Sequence, residues 1–476
     1  RECGYGRHRF PPGARGSPSM LAPAFGLGRL NRVVCTQPPS PSSSSSKRIS
    51  AMAPPLLIHF DVNKTVIPSD SVKVMGIEDG IREGIADLFW GVLKEADGKV
   101  GWEWTRGKPS LEPPVQGTSM AGAELATYGQ YCRRAIKCKA GARQSIRSFD
   151  LVEGQPVREA MERLAHSAMN RLQEQPGHRN NEADDEGLVG QRLRMFPTVF
   201  HLAAAFQRAG RHFAVLFRSF GNDHTGIQEE WNAFCELKHP LSHLIADLGP
   251  MDGSVLGIPD RRLHRMHTLY RDAEGPLLVL DEFTNGPAES AWDSWAKEKP
   301  RAETDTRNGR EFIKHELQAD VAEGFTGIQG FMEQHLRGQE TAAIKDDWAW
   351  WTWNGEQASA GKLLALLPGK MPTEQLFFDD NIGYDDARIV DCRGVDGACI
   401  PATVSLRQFC QKVNPAEAML DDEYFLRKVL DVERCNRKLG GHVRKPHGCG
   451  LRSWCHLPRG AWRRRYRRRC VPDGIP

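Results

Sequence analysis

Apolar positions in this chain fall into short buried-type runs, each cut off by a polar turn. Leu56–Leu57–Ile58–His59–Phe60 is a mostly apolar run of the kind that forms an interior parallel strand, and it breaks off at Asp61–Val62–Asn63–Lys64–Thr65. Pro197, Val199, Phe200, Leu202, Ala203 and Phe206 recur at helical spacing that stops at Gly210. His212–Phe213–Ala214–Val215–Leu216–Phe217 then reads as a strand ending at Arg218–Ser219–Phe220–Gly221. Gln375–Leu376–Phe377–Phe378 is a third strand, ending at Asp379–Asp380–Asn381, and Pro276–Leu277–Leu278–Val279–Leu280 a fourth, ending at Asp281. Strands separated by helices predict an α/β fold: a parallel sheet with flanking helices, in which ligands gather at the carboxyl ends of the strands. Asp61, Ser219 and the Asp379/Asp380 pair all stand at such ends.

The connections are long. About 160 residues separate Asp61 from Ser219 and about 140 separate Ser219 from Lys362, far more than a crossover helix needs. Large, mainly helical insertions are expected at about 67–195 and 225–358. In the first, Ile81 to Leu93 and Leu125 to Ile136 read as helices and His178 to Gly187 as a polar loop. The second ends in Asp346–Asp347–Trp348–Ala349–Trp350–Trp351–Thr352–Trp353, with four tryptophans in six residues. These rings either form an aromatic wall against a sugar or base or, the expected role, pack the insertion onto the core.

Composition adds boundaries. The 476 residues are 40% hydrophobic and 26% charged, enough for two or three lobes of ~100–200 residues, and no apolar run approaches the ~18 residues of a membrane span. The net charge of +4 is unevenly spread. Residues 1–60 carry eight Lys/Arg against one acid and residues 436–476 carry twelve against one, which leaves 44 basic and 58 acidic residues between them. An acidic body repels a phosphate backbone, so nucleic acid is expected, if at all, only at the basic C-terminal tail with its runs Arg463–Arg464–Arg465 and Arg467–Arg468–Arg469.

Residues 1–51 are rich in Pro, Gly, Ser and Arg and are expected to be disordered, either as an organelle transit segment from Met20 to Ser50 or as sequence outside the folded protein. Residues 436–476 are expected to be a basic, disordered tail; Cys449, Cys455, His447 and His456 there match no common zinc spacing. The folded domain is expected over 52–435. Its scattered cysteines do not suggest a disulfide framework, which places the protein in a reducing compartment. The cytoplasm is expected, with a plastid or mitochondrion as the alternative if the transit reading holds.

An Asp at the tip of a buried strand, followed by a polar loop, suits a covalent nucleophile toward phosphorus. Because carboxylate and phosphate repel, such a site needs a cation, and Asp379 and Asp380 are hard oxygen ligands suited to Mg²⁺. Ser219 can hydrogen-bond a phosphoryl oxygen, and a lysine such as Lys362, in Ala360–Gly361–Lys362–Leu363–Leu364, can neutralise the remaining charge. Lys345 and Lys370 compete for that role. His59 shares a strand face with Asp61 but sits a full pleat below the tip, as a sheet-face histidine.

An apolar strand ending in Asp-x-Asn-x-Thr, a second ending in Ser, a Lys near a helix start and a third strand ending in Asp-Asp together resemble the haloacid dehalogenase superfamily. The resemblance covers residues 56–66, 197–222 and 360–400. It implies a Rossmann-like core, Mg²⁺ as cofactor, and phosphoryl transfer from a small phosphorylated molecule through an aspartyl-phosphate, beneath caps formed by the insertions. Residue by residue, it implies Asp61 as nucleophile and metal ligand and Asn63 as a backbone ligand of the metal. Thr65, Ser219, Gly221 and Lys362 would hold the phosphoryl group; Asp379 or Asp380 would complete the metal site, with Asp385 or Asp386 as a further acid.

Asn63 departs from the pattern. The family's phosphatases carry there an Asp that protonates the leaving group and then activates water, and an amide can do neither. General acid–base catalysis is typically worth ~10²–10⁴-fold in rate. Two functions are therefore expected: a slow Mg²⁺-dependent phosphohydrolase or phosphotransferase, or a catalytically degenerate relative that binds a phosphorylated ligand or a protein partner.

Overall fold

The computed structural model describes residues 53–69, 75–96, 98–114, 124–172, 193–221, 223–281, 309–317, 319–367, 374–383 and 385–440. The N-terminal segment 1–51, the loop His178 to Gly187, Lys370, and the tail beyond residue 440 with its arginine runs, cysteines and histidines lie outside the described residues.

Thirteen strands organise these residues: β1 (Leu56–Asp61), β2 (Trp90–Ala96), β3 (Lys99–Trp104), β4 (Leu125–Thr127), β5 (Phe213–Ser219), β6 (Leu263–Asp272), β7 (Gly275–Val279), β8 (Val321–Glu323), β9 (Thr341–Lys345), β10 (Lys362–Ala365), β11 (Glu374–Asp379), β12 (Val390–Arg393) and β13 (Cys410–Lys412). Eight of them form one sheet in the order β13-β11-β1-β5-β9-β6-β7-β8. From β13 to β6 every pairing is parallel; β7 runs antiparallel to β6, and β8 antiparallel to β7. The fold is thus α/β with a mixed, mostly parallel central sheet. β1, flanked by strands on both sides and covered on both faces, is buried along its whole length, which is why its run is almost continuously apolar.

The two faces bury different partners. Leu56, Ile58 and Phe60 join the larger core, where Phe60 lies against Phe217, Phe378 and Phe425 and the helices Ile77–Ala86, Gln155–Arg171, Pro197–Arg208, His224–Cys235 and Tyr424–Gly440 contribute side chains. On the other face Leu57, Ala214 and Leu216 meet Ile328, Met332 and Leu336 of the helix Gly324–Gly338, with Leu363 and Ala365 of β10. β10 and β12 form a separate two-stranded parallel sheet.

Several expectations change. Of Pro276 to Leu280, the residues up to Val279 do form a strand, β7, but as one arm of a hairpin with β6, so it runs against the parallel set. The first stretch is not helical throughout. The helix Ile77–Ala86 ends before Leu88, and Trp90–Ala96 is instead strand β2, which turns at Gly98 (φ +72°) into β3. Leu125–Thr127 is likewise strand β4, and the helix begins only at Tyr128, where Thr127 forms a capping box with Gln130. Residues 225–358 supply β6, β7, β8 and β9 to the main sheet rather than a helical body alone. The last helix continues through Gly440, past the expected start of the tail.

From β1 the chain moves first to β5 on one side and returns much later to β11 on the other. The strand order therefore reverses between β1 and β11, and in open α/β sheets the carboxyl ends at such a reversal frame the ligand crevice.

Candidate active site at the carboxyl ends of β1 and β11

Register places the acids. β1 and β11 pair in parallel up to Phe60 and Phe378, and one step further stand Asp61 and Asp379 on neighbouring strands. Lys362 reaches this point from β10: its Nζ donates to Asp61 Oδ1 and, at 2.9 Å, to Asp379 Oδ2. It begins a strand after a short 3₁₀ turn, Ala358–Ala360, rather than a helix. Gly361 makes the approach possible, because a β-carbon there would collide with the carbonyl oxygen of Ile389.

The polar loop after β1 is wound tightly: the carbonyl of Val62 accepts from the N–H groups of Val66 (3.0 Å) and Ile67 (3.1 Å), Asn63 bridges to Ile67 through its main chain, and Lys64 takes a left-handed conformation (φ +58°). This turn returns Thr65 toward the strand tip. Its hydroxyl donates to Asp61 Oδ2 at 3.2 Å and accepts the Asp380 N–H at 3.1 Å, tying the first loop to the third. Asp380 also pairs with Lys64 (3.3 Å), while Lys412 of β13 donates to the carbonyls of Asp380 (3.0 Å) and Ile382 (2.7 Å) and fixes the loop from below.

Asp61, Asp379 and Asp380 together offer three carboxylate oxygens within 4.8 Å of one another. Asp61 is 4% and Asp379 0% exposed. Burial first, and then the charge of Asp379, push the Asp61 carboxyl well above the usual carboxylate range despite Lys362 beside it; burial also raises Asp379. Burial works against the Lys362 ammonium as well, but Asp379, Asp61 and Asp346 outweigh it and hold its pKa above that of an ordinary lysine. Three carboxylates gather here against the two lysines paired with them, Lys362 and Lys64, and an all-oxygen donor set of this kind fits a hard divalent cation.

A second buried layer, which the sequence reading missed, supports the first. Arg218 pairs in register with Asp61 and forks onto Asp346, Nε to Oδ2 at 3.0 Å and Nη2 to Oδ1 at 2.5 Å. Its Nη1 lies 3.1 Å from His59 Nδ1 and donates to the Leu363 carbonyl at 3.0 Å, next to Lys362. His59 stacks on Phe377, and burial, then Arg218, keep its pKa well below the usual histidine value, which suits the sheet-face role expected of it. The signal was present in the sequence: one arginine in an otherwise apolar strand has to find a buried partner.

The remaining sequence candidates are not among the three clustered acids or the lysine that bridges Asp61 and Asp379. Ser219 and Gly221 are bonded to each other, the Ser219 hydroxyl accepting the Gly221 N–H at 2.8 Å, and neither bonds to Asp61, Lys362 or Asp379. Asp385 and Asp386 are exposed, and Asp386 accepts from the Arg388 N–H in its own turn, away from the three clustered acids. Lys345 is buried at the end of β9 with its pKa pushed down to about 8 by burial; the lysine that reaches Asp61 is Lys362. Phe220 had no assigned role, yet its ring centre lies 5.0 Å from Lys362 Nζ, with Trp351 stacked on it at 5.4 Å.

The chain matches no protein-family model, no curated protein and no solved structure. Among the described residues no helix is long and apolar enough to cross a membrane, and the seven cysteines form no disulfide.

Proposed function

We propose that the chain is a phosphohydrolase or phosphotransferase that works through an aspartyl-phosphate on a small phosphorylated substrate, with a core of the haloacid dehalogenase type. The observation that carries this reading is the convergence of Asp61, Lys362, Asp379 and Asp380 from three distant stretches of chain onto one sheet edge. The order of the motifs along the sequence supports it independently.

Asp61, Asp379 and Asp380 would hold Mg²⁺, whose charge, when bound, offsets repulsion between carboxylate and phosphate. Lys362 holds a phosphoryl oxygen, and Thr65 orients Asp61 by donating to its second oxygen. A lone pair on one carboxylate oxygen of Asp61 attacks phosphorus, the bond to the leaving oxygen breaks, and that oxygen takes up a proton from solvent water. Water then attacks phosphorus, releases inorganic phosphate and restores the carboxylate. Asn63 can neither give the first proton nor accept the second, so substrates with good leaving groups react best and the second step is slow.

The test is phosphate release by the full chain with Mg²⁺ over a panel of phosphomonoesters, with Asp61→Asn as the blank. Release that vanishes in the blank and rises by at least ~10²-fold in Asn63→Asp is expected. Equal release from the Asp61→Asn protein would contradict the assignment.

A further inference from the structure

The helix Trp348–Trp353 packs onto the core as expected, but only in part: Trp351, with Phe220, lies against the cluster around Leu364 and Phe377. The helix's only fully buried residue is Ala349; Trp348, Trp350 and Trp351 are half-buried and Trp353 is 74% exposed. Phe220 and Trp351 are each only half-buried, so both keep part of their ring surface open next to Lys362 of the candidate site.

The helix is held firmly. Asp347 caps it, Oδ1 accepting from the Trp350 N–H at 3.0 Å and Oδ2 from the Arg271 N–H at 3.1 Å. The Trp351 indole N–H donates to the Arg388 carbonyl at 3.3 Å, which fixes the plane of the ring. In that orientation Trp351 stacks on Phe220, 5.4 Å between centres and 22° between planes, and Phe220 faces the Lys362 ammonium. From the group that would hold phosphate, two aromatic rings therefore lead outward in consecutive steps of 5.0 and 5.4 Å. The phosphate-holding end is deeply buried, and the far end is partly open to solvent.

We propose that Phe220 and Trp351 are specificity-determining residues that select, among phosphomonoesters, those whose phosphate is joined through one short spacer to a flat ring, as in a nucleoside monophosphate. This rests on the phosphoryl-transfer reading above and names its substrate class. A flat π-system gains from stacking on a preoriented indole, and gains most where the ring is already partly desolvated. An aliphatic phosphate of equal charge fills the phosphate position but finds nothing to stack on.

The experiment is calorimetric titration of the full chain carrying Asp61→Asn, in Mg²⁺, with adenosine 5′-monophosphate, glycerol phosphate and inorganic phosphate. The nucleotide should bind at least about tenfold tighter than glycerol phosphate. Trp351→Ala should erase that preference while keeping the affinity for inorganic phosphate, and Trp351→Phe should retain most of it. Should Trp351→Ala fail to fold, Phe220→Leu, which keeps an apolar side chain, should show the same loss. Equal affinities for the two esters, or a nucleotide preference that survives both substitutions, would overturn the aromatic wall and leave the phosphate site standing. No binding of any of the three compounds, either to this variant or to the wild-type chain in Mg²⁺, would overturn both.

Discussion

Lys362 sits where two buried carboxylates would otherwise face each other without compensation, hydrogen-bonded to Asp61 and Asp379 and only 1% exposed. Removing one partner of a buried ion pair typically costs about 3–5 kcal/mol, because it leaves charge uncompensated in a poorly solvated place. Lys362→Met should destabilise the protein by that order in metal-free buffer, measured by urea unfolding, and added Mg²⁺ should recover part of the loss. A variant within ~1 kcal/mol of the wild type would mean that the carboxylates do not share one charged site. The residues of this set were legible in the sequence for a simple reason: each acid ends an apolar run. The pairing of Arg218 with Asp346 was not. Their ion pair spans 128 positions, and nothing local distinguishes Asp346 as the partner.

Among the elements, the short strand β10 matters most, since it delivers the lysine. β10 pairs with β12 from Lys362↔Val390 to Ala365↔Arg393, and Gly361 lies so close to Ile389 that only a missing β-carbon permits the pairing. Gly361→Ala should push β10 outward, cost on the order of 1–3 kcal/mol as an overpacked contact, and lower phosphate release more than stability alone explains. Unchanged activity at equal folded fraction would show that the strand's position does not set the lysine. Element types were less readable than strand tips. The apolar residues of Ile81 to Leu93 suit a helix as well as a strand, and the choice is made by long-range packing. Trp102 of β3 lies so close to Gly91 that a β-carbon there would clash, and its indole donates to the Ala126 carbonyl of β4, so β2 is held between two partners. Likewise β7 reads as one more parallel strand by its apolar run, whereas the two-residue connection after β6 at Asp272 leaves only a hairpin.

On the scale of the whole chain, the topology explains why the site lies where it does: strand order reverses between β1 and β11, and the clustered acids occupy the carboxyl ends of those two strands. The opposite end of β11 carries a second titrating group. Glu374 shares Arg211 with Glu433 of the last helix, at 3.4 and 2.5 Å, and burial, then the charge of Glu433, push its pKa up to about 7. The folded state therefore keeps a proton that the unfolded chain, with an ordinary value of 4.5, gives up earlier. Stability should fall as pH rises from about 4.5 to about 7 and then level off. Glu374→Gln, which cannot ionise, should flatten that slope in urea titrations at several pH values; an unchanged slope would refute the assignment. We propose Asp61 as a nucleophile in a site whose second step lacks a base. The most direct measurement is rapid mixing with p-nitrophenyl phosphate and Mg²⁺, followed by mass spectrometry of the quenched protein. A burst of nitrophenol approaching one equivalent per chain is expected, with the phosphoryl group on Asp61 and no burst in Asp61→Asn; a folded protein that gives neither burst nor adduct would rule out Asp61 as the nucleophile.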